Sequence, residues 1–365
     1  MNRKPHHLHT IPSPVGPLTL TATDEALVAI RFGGEAAGEP APTPLLREAA
    51  RELAEYFAGL RRTFTLPFGA EGTPFQQAVW QALGEIPYAR TRTYGAIAAA
   101  VRRPGASRAV GMANHRNPLA IVVPCHRVVG SDGKLTGYAA GLEIKRRLLE
   151  LEAAVETIPG ALADYLAGEI LPRYRTFDRA HDEGHALAVM ARSLALAARL
   201  GADPATALTV AAYHDTGLAE GRERHHIVSG SILAADAALR RWFSDERIAT
   251  MREAAEDHRA SADHAPRSLY GRIVAEADRQ IVPATIVRRT VQYGLAHTPQ
   301  LDREGQWERC VGHLTDKYAE GGYLRLWIAE SDNARQLEAL RRLIGDRAQL
   351  RALFDRIYEA ESGGE

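Results

Sequence analysis

Cysteine is scarce in this chain, and one of its two copies sits in a reactive setting. Cys125 and His126 follow Ile121-Val122-Val123-Pro124, an apolar run that proline stops from continuing as an interior strand or helix. A thiol at the end of a buried run is normally inert, because desolvation disfavours the thiolate. An adjacent histidine can generate and hold the sulfur anion, which would make Cys125 a nucleophile. A buried structural cysteine is the other reading of the same residues. A second set of reactive side chains lies further on. His185 opens an apolar helical stretch, His214 and Asp215 end another, and Asp278 sits inside RIVAEADRQI. Imidazole and carboxylate groups on buried helices are unfavourable unless paired or metal-bound. Singly, each reads as a cap or a satisfied core group; as a set they could hold a cation.

The elements that must position these groups can be followed along the chain. Residues 10–32 read as a hairpin, with LTLTAT alternating before a turn and a second apolar run. Residues 45–60 are an amphipathic helix and residues 64–68 a returning strand. Thr73 and Pro74 open a helix whose buried stripe is Phe75, Val79, Trp80 and Leu83. Residues 93–100 and 106–114 are short helices broken by Arg102-Arg103-Pro104-Gly105, which fits a helix-turn-helix or a basic helical hairpin. Residues 154–160 read as a linker ending in a Pro-Gly break. Beyond it the pattern is helical at 187–200, 205–214, 227–242, 247–258 and 269–281, and onward to Tyr358, which predicts an all-α domain.

Composition bounds the rest. A chain of 365 residues suits two ordinary domains. Its formal net charge is zero, so any nucleic-acid contact must come from a local patch, as Arg90, Arg92, Arg102, Arg103, Arg108 and Arg116 would allow. Two distant cysteines make no disulfide framework and fit a reducing compartment. The start, MNRKPHHLHTIPS, lacks an apolar signal core, and no uncharged run reaches membrane-spanning length. The expectation is a cytoplasmic protein with no membrane partner. His6, His7 and His9 have no cysteine near them and read as a solvated tail rather than a zinc site.

Several ordered blocks resemble the O6-alkylguanine-DNA alkyltransferases over roughly residues 8–153. They are SPVGPLTL, LAEYFAGLRRTFTLP, GTPFQQAVWQAL, IPYARTRTYGAIAAAVRRPGASRAVGMANHRNP, PCHRVV and GYAAGLEIKRRLLELE. The resemblance implies an α/β, ribonuclease-H-like subdomain at residues 1–70 and a helical, winged-helix-like DNA-binding and catalytic domain at 71–153. It implies irreversible transfer of an alkyl group from O6-alkylguanine in double-stranded DNA to Cys125 without a cofactor, O4-alkylthymine being a candidate second substrate. His126 would act as base through a water, Glu152 would orient it, and Asn117 would tie the helix-turn-helix to the active-site strand. The second helix would enter the minor groove. There Tyr94 would crowd the target phosphate and donate to the base, and Arg108 would fill the gap left in the stack. Extruding a base costs a few kcal/mol, part of which an inserted side chain recovers. The backbone of Cys125 and Val128 would accept from guanine's exocyclic amine, with Tyr138 and Ala139 as the opposite wall. Ala89, His115 and Ala140 depart from the family's usual glycines, which bears on the range of substrate sizes.

The ordered set H…HD…D resembles the HD-domain metal-dependent phosphohydrolases over about residues 160–285, within an expected domain of 161–365. By that match His185, His214, Asp215 and Asp278 would bind a divalent metal (Mn, Fe, Zn, Mg or Co), and the substrate would be a phosphorylated small molecule or nucleotide. His226 and His258 fall where two-metal members have additional histidines. His181 and Asp182 would stand near ligands or substrate, and Arg222 and Arg224 read either as phosphate contacts or as a solvated loop. The expected protein is a fusion of the two activities. Two rivals stand beside it. One is a lesion-recognising module without repair, which the presence of Cys125 argues against; the other is a C-terminal metal-stabilised interaction domain without turnover.

Overall fold

The computed structural model describes residues 6–34, 42–178, 181–259, 264–329 and 331–362. The chain opens with a three-stranded antiparallel sheet, β1 (His7–Ile11), β2 (Leu18–Ala22) and β3 (Leu27–Phe32), paired in the order β1-β2-β3. The expected hairpin is therefore β2–β3, joined by a further strand whose alternation the histidines of HLHTI obscure. Leu18, Leu20 and Ala22 point one way and are fully buried, as a period of two requires. Helix α1 (Pro44–Phe57), capped by Thr43, covers this face with Leu46, Ala49, Leu53 and Phe57. Residues 64–68 do not form the expected strand; Phe68 makes one isolated bridge to Leu27.

Helix α2 (Pro74–Gly84) starts in a reciprocal capping box between Thr73 and Gln76, and Trp80 reaches across to donate Nε1 to the Ala113 carbonyl at 2.9 Å. A two-residue strand β4 (Arg92–Thr93) then leads into α3 (Tyr94–Ala100), with α4 (Ser107–His115) after the Pro-Gly turn. The path to Cys125 ends in a single 3-10 turn, Cys125–Arg127, and β5 (Val128–Val129) pairs in parallel with β4. Helix α5 (Leu142–Glu156) brings Glu152 back beneath that turn.

The segment 154–160 is not a free linker. Helix α5 runs through Glu156, Val155 and Ile158 are buried, and α6 (Gly160–Tyr165) begins at once. The chain continues through a π turn and a 3-10 turn to α7 (Glu183–Leu200) and α8 (Pro204–Tyr213). Next come α9 (His225–Ala235), α10 (Asp245–Glu256) and α11 (Leu269–Asp278). The expected single helix over 227–242 breaks at Asp236, whose carboxylate caps the following 3-10 turn and accepts from Tyr165 and Tyr213.

One buried apolar cluster extends from Ile11 to Ala277 and includes Ile328, so both halves share a core. Its seam is tight. Gly59, in the left-handed region at φ 73°, lies where a Cβ would come within 2.9 Å of Leu194 on α7 and 3.0 Å of Val155 on α5. Helices α12 (Pro283–His297), α13 (Arg303–Tyr318), α14 (Asp332–Gly345) and α15 (Arg347–Ser362) close around a second cluster running from Ile281 to Ile357. The region expected as one all-α domain thus holds two packing units.

Candidate functional site

Cys125 is a free thiol with 6 % of its surface exposed, at the floor formed by the turn between the helix-turn-helix and β5. Burial pushes the thiol up from its ordinary value, against the opposing influence of Asn117 and Lys145. Asn117 Nδ2 stands 3.2 Å from Cys125 Sγ and donates to the Val123 carbonyl at 2.8 Å, while its Oδ1 accepts from Leu119 N at 3.0 Å. One amide thus spans the end of α4 and the chain entering the cysteine turn.

Behind the cysteine is a buried charge network centred on Glu152, which is fully enclosed. Its carboxylate accepts from His126 Nε2 at 2.9 Å, Tyr56 hydroxyl at 2.9 Å, Ala89 N at 3.1 Å, and Arg127 Nε and Nη2 at 3.0 and 2.8 Å. Burial alone would raise this carboxyl, but the His126 and Arg127 contacts outweigh it and bring it to about 2. An ionised carboxylate only accepts, so His126 must carry its proton on Nε2. Its Nδ1 is buried and has no protein partner among the described residues. Burial lowers His126 from its ordinary value despite Glu152, which keeps a neutral ring and a lone pair on Nδ1.

Three partners of Glu152 were not singled out from sequence. Arg127 stands inside PCHRVV and could have been read from its neighbours. Tyr56 lies 96 residues from Glu152 in sequence and gave no local signal. Ala89, marked as a departure from glycine, adopts φ 56° so that its N–H can reach the carboxylate. An alanine there carries about 1–2 kcal/mol of backbone strain.

Around the mouth of the site, Tyr94 is the first residue of α3, and its hydroxyl donates to the carbonyls of Thr136 and Gly137 at 3.1 and 3.2 Å. The Val128 carbonyl is engaged by Lys145 Nζ at 2.5 Å, so one of its lone pairs is already used. Lys145 also donates to Thr136 at 2.8 Å and sits 5.9 Å from the Tyr94 ring centroid. Tyr138 packs edge-on against Phe32 with its hydroxyl buried and without a partner among the described residues, and Ala139 is exposed beside it. Arg108 is exposed on the first turn of α4.

The helical half assembles a second centre. His185 from α7, His214 and Asp215 from the end of α8 and Asp278 from the end of α11 meet: His185 Nε2 is 3.2 Å from His214 Nε2 and 3.2 Å from Asp278 Oδ1. Asp215 divides its carboxylate. Its Oδ2 lies 3.3 Å from His214 and 3.6 Å from His185, and its Oδ1 lies 3.4 Å from both His225 and His258. Sequence placed His226 here with His258; the structure places His225 instead, its Nε2 3.2 Å from that of His258. His226 turns away, with its Nδ1 buried and without a partner among the described residues. Consecutive helical residues project about 100° apart, so only one of the pair can face the centre.

The donor set fits cations. His214, His225 and His258 each donate Nδ1–H to a carbonyl, of Ala211, Arg222 and Ala255, which leaves the Nε2 lone pairs turned inward. Imidazole lone pairs this close repel unless something positive lies between them. Two groups, His185–His214–Asp278 and Asp215–His225–His258, each offer three ligand atoms within 4.8 Å of one another. Asp215, which is buried, and Asp278, which is half-buried, stay well below the usual carboxylate range because histidines surround them. Asp182 is the N-cap of α7, accepting from His185 N, and His181 pairs with Asp178 at 2.9 Å. Arg222 also pairs with Asp178, at 2.6 Å, and Arg224 is exposed before α9. His7 faces Asp24 at 2.9 Å, and among the described residues no three-ligand group forms near it.

The fold and the two centres define a helix-turn-helix protein with a buried thiol, joined through one core to a histidine–aspartate metal-site domain. Comparison with known proteins agrees with this division. Residues 7–70 match the 6-O-methylguanine DNA methyltransferase ribonuclease-like domain, 74–154 the DNA binding domain of the same proteins, and 183–280 the HD domain. The methylated-DNA–protein-cysteine methyltransferase of Methanosarcina barkeri is 52 % identical over 148 residues, 39 % of this chain and 94 % of its own length. The constitutive enzyme of Bacillus subtilis is 60 % identical over 111 residues, covering 30 % of this chain and 67 % of that one. A crystal structure of Mycobacterium tuberculosis OGT in complex with DNA is 48 % identical, covers 41 % of this chain and 94 % of its own, and has a TM-score of 0.38. The chain belongs to the methylated-DNA–protein-cysteine methyltransferases, and it carries an HD domain in addition.

Proposed function

We propose that the chain repairs O6-alkylguanine in double-stranded DNA by one irreversible transfer of the alkyl group to Cys125. We further propose that its HD domain is a metal-dependent phosphohydrolase of phosphorylated small molecules or nucleotides. The observation that carries the first half is the buried His126–Glu152 pair, which fixes the ring proton on Nε2 in the residue after Cys125, with Asn117 on the sulfur. The thiol proton passes to His126 Nδ1 through a water, and Glu152 stabilises the imidazolium that results. The Cys125 sulfur then attacks the alkyl carbon; the S–C bond forms, the C–O6 bond breaks, and its electron pair leaves with guanine. Tyr94, whose hydroxyl rests on the Thr136–Gly137 loop, exchanges those carbonyls for the extruded base. Arg108, exposed on α4, enters the stack behind it. The thioether has no route back, so each molecule acts once. The test is reaction with duplex DNA carrying O6-methylguanine, read as methyl added per protein.

For the HD half, the converging Nε2 lone pairs carry the reading. His185, His214 and Asp278 would hold one cation and His225 and His258 a second, with Asp215 bridging. A divalent ion of the class Mn, Fe, Zn, Mg or Co would polarise a phosphate and lower the pKa of a bound water. The carbonyls of Ala211, Arg222 and Ala255 keep three of the rings oriented, and Asp182 fixes the start of α7. Metal content measured with a screen of nucleotides and model phosphodiesters tests this. Metal uptake without hydrolysis of any of them would favour an interaction domain. Two unpaired cysteines, Cys125 and Cys310, support a reducing compartment, the cytoplasm. Among the described residues no helix is long and apolar enough to cross a membrane.

A further inference from the structure

From residue 86 to residue 131 the chain carries seven arginines and no aspartate or glutamate, although its formal net charge is zero. Arg127 is buried on Glu152 and the others are exposed. Of the exposed ones only Arg90 pairs with a carboxylate among the described residues, that of Glu156 at 3.5 Å. A surface this one-sided suits a polyanion. Helix α4 lies within it. Val110, Ala113 and Asn114 bury one side of α4, and Arg108 and Met112 project from the other.

Met112 serves neither centre nor core. It is 56 % exposed, and no other large apolar side chain of α3 or α4 is left in solvent. At about 100° and about 1.5 Å per residue, it stands about 40° around the helix from Arg108 and about 6 Å further along. Gly111 lies about 60° to the other side of Arg108. A Cβ at Gly111 would sit 3.8 Å from Tyr94 Cε1. The surface of α4 therefore holds Arg108 between Tyr94 and Met112. A lone exposed apolar side chain is ordinary on a protein surface. This one stands in the path of the DNA: a duplex that delivers its target nucleotide to Tyr94 and takes Arg108 into the gap brings its next base step to Met112.

We propose that Met112 opens the duplex together with Arg108, its side chain wedging against the base step beside the gap and keeping that step unstacked during alkyl transfer. The wedge rests on the repair reading for its role. Apolar side chains inserted at base steps unstack and kink DNA in other proteins. They act through shape and desolvation, so the contribution of Met112, unlike that of the arginines, does not depend on salt.

The experiment compares full-length parent, Met112→Ala and Met112→Leu on duplex DNA carrying O6-methylguanine and on free O6-benzylguanine. Met112→Ala should slow duplex repair about tenfold more than it slows reaction with the free base, as the loss of about two buried methylenes implies. That ratio should hold from about 50 to about 200 mM salt. Met112→Leu, nearly equal in volume, should stay within about twofold of the parent. With protein saturating the DNA, 2-aminopurine in the base pair beside the lesion should be brighter, hence less stacked, with the parent and Met112→Leu than with Met112→Ala. The three proteins alone should melt together, because the side chain is mostly in solvent. Equal duplex repair by parent and Met112→Ala, or equal 2-aminopurine brightness, overturns the wedge. So does a deficit just as large on the free base, one that vanishes at high salt, or one matched by a lower melting temperature. A parent that leaves the lesion unrepaired refutes the repair reading instead. The affinities of parent and Met112→Ala for that duplex then decide, a loss of about tenfold upholding the contact and equal affinity overturning it.

Discussion

Glu152→Gln is the most informative single change in the alkyltransferase half. The substitution preserves shape but removes the charge that His126, Arg127, Tyr56 and Ala89 all address. The carboxyl lies at about 2 in the folded protein against an ordinary 4.5, which corresponds to about 3 kcal/mol of folding free energy at neutral pH. Because the folded-state value is depressed, that contribution is present above pH ~4.5 and fades as pH falls toward ~2. Breaking the pair also leaves the Arg127 guanidinium buried without its partner, an effect of about 3–5 kcal/mol in other proteins, so the measured loss should fall in that range. Urea unfolding of parent and variant from pH 7 down to about pH 2.5 reads both the loss and its pH slope. Alkyl transfer should slow by about a hundredfold, and its pH–rate profile should move to higher pH, because His126 no longer has an anion to hold its charge. DNA binding, carried by α3 and α4, should change little. Equal stability at pH 7 with an unaltered acid slope and an unmoved rate profile would refute the network.

Three further outcomes follow from the same geometry. Arg108→Ala should reduce repair of duplex DNA more than reaction with free O6-benzylguanine, by the few kcal/mol that extrusion costs, and Tyr94→Ala should show the smaller selectivity; equal slowing on both substrates would refute the finger role. Asp215→Asn should lose metal content and phosphoester hydrolysis together, since one carboxylate serves both ligand groups, and retained stoichiometric metal would contradict the bridge. His225→Ala should remove one equivalent of metal while His226→Ala removes none, which metal analysis of the two full-length variants decides.

The parts legible in sequence were those encoded over short spans. PCHRVV set Cys125 and His126 side by side, and the Arg102–Gly105 break between two short helical stretches left a helix-turn-helix and a basic hairpin both open until the family resemblance chose the first; Thr93 caps α3, while α4 has no side-chain cap. The H…HD…D set was readable because polar groups on apolar helices stand out. What sequence could not reach depended on distance or on helical phase. Tyr56 meets Glu152 only after α1 and α5 pack together. The choice of His225 over His226 needs the start and rotation of α9, which HHIVSG leaves open. The shared core is invisible because Val155 and Ile158, inside an apparent linker, look like any short apolar pair until Leu194 packs near them. The second packing unit of α12–α15 is hidden for a similar reason, since amphipathic helices do not declare which neighbours they will bury against.

The measurement that bears most directly on the whole account is the site and stoichiometry of alkyl transfer. Full-length protein is incubated with excess duplex DNA carrying one O6-methylguanine, then analysed by intact mass and peptide mapping. The account predicts one methyl group per chain in place of the Cys125 thiol hydrogen, a plateau at one equivalent of repaired DNA, and an unmodified Cys310. Methyl found on Cys310, no methyl on either cysteine, or repair well beyond one equivalent would contradict it.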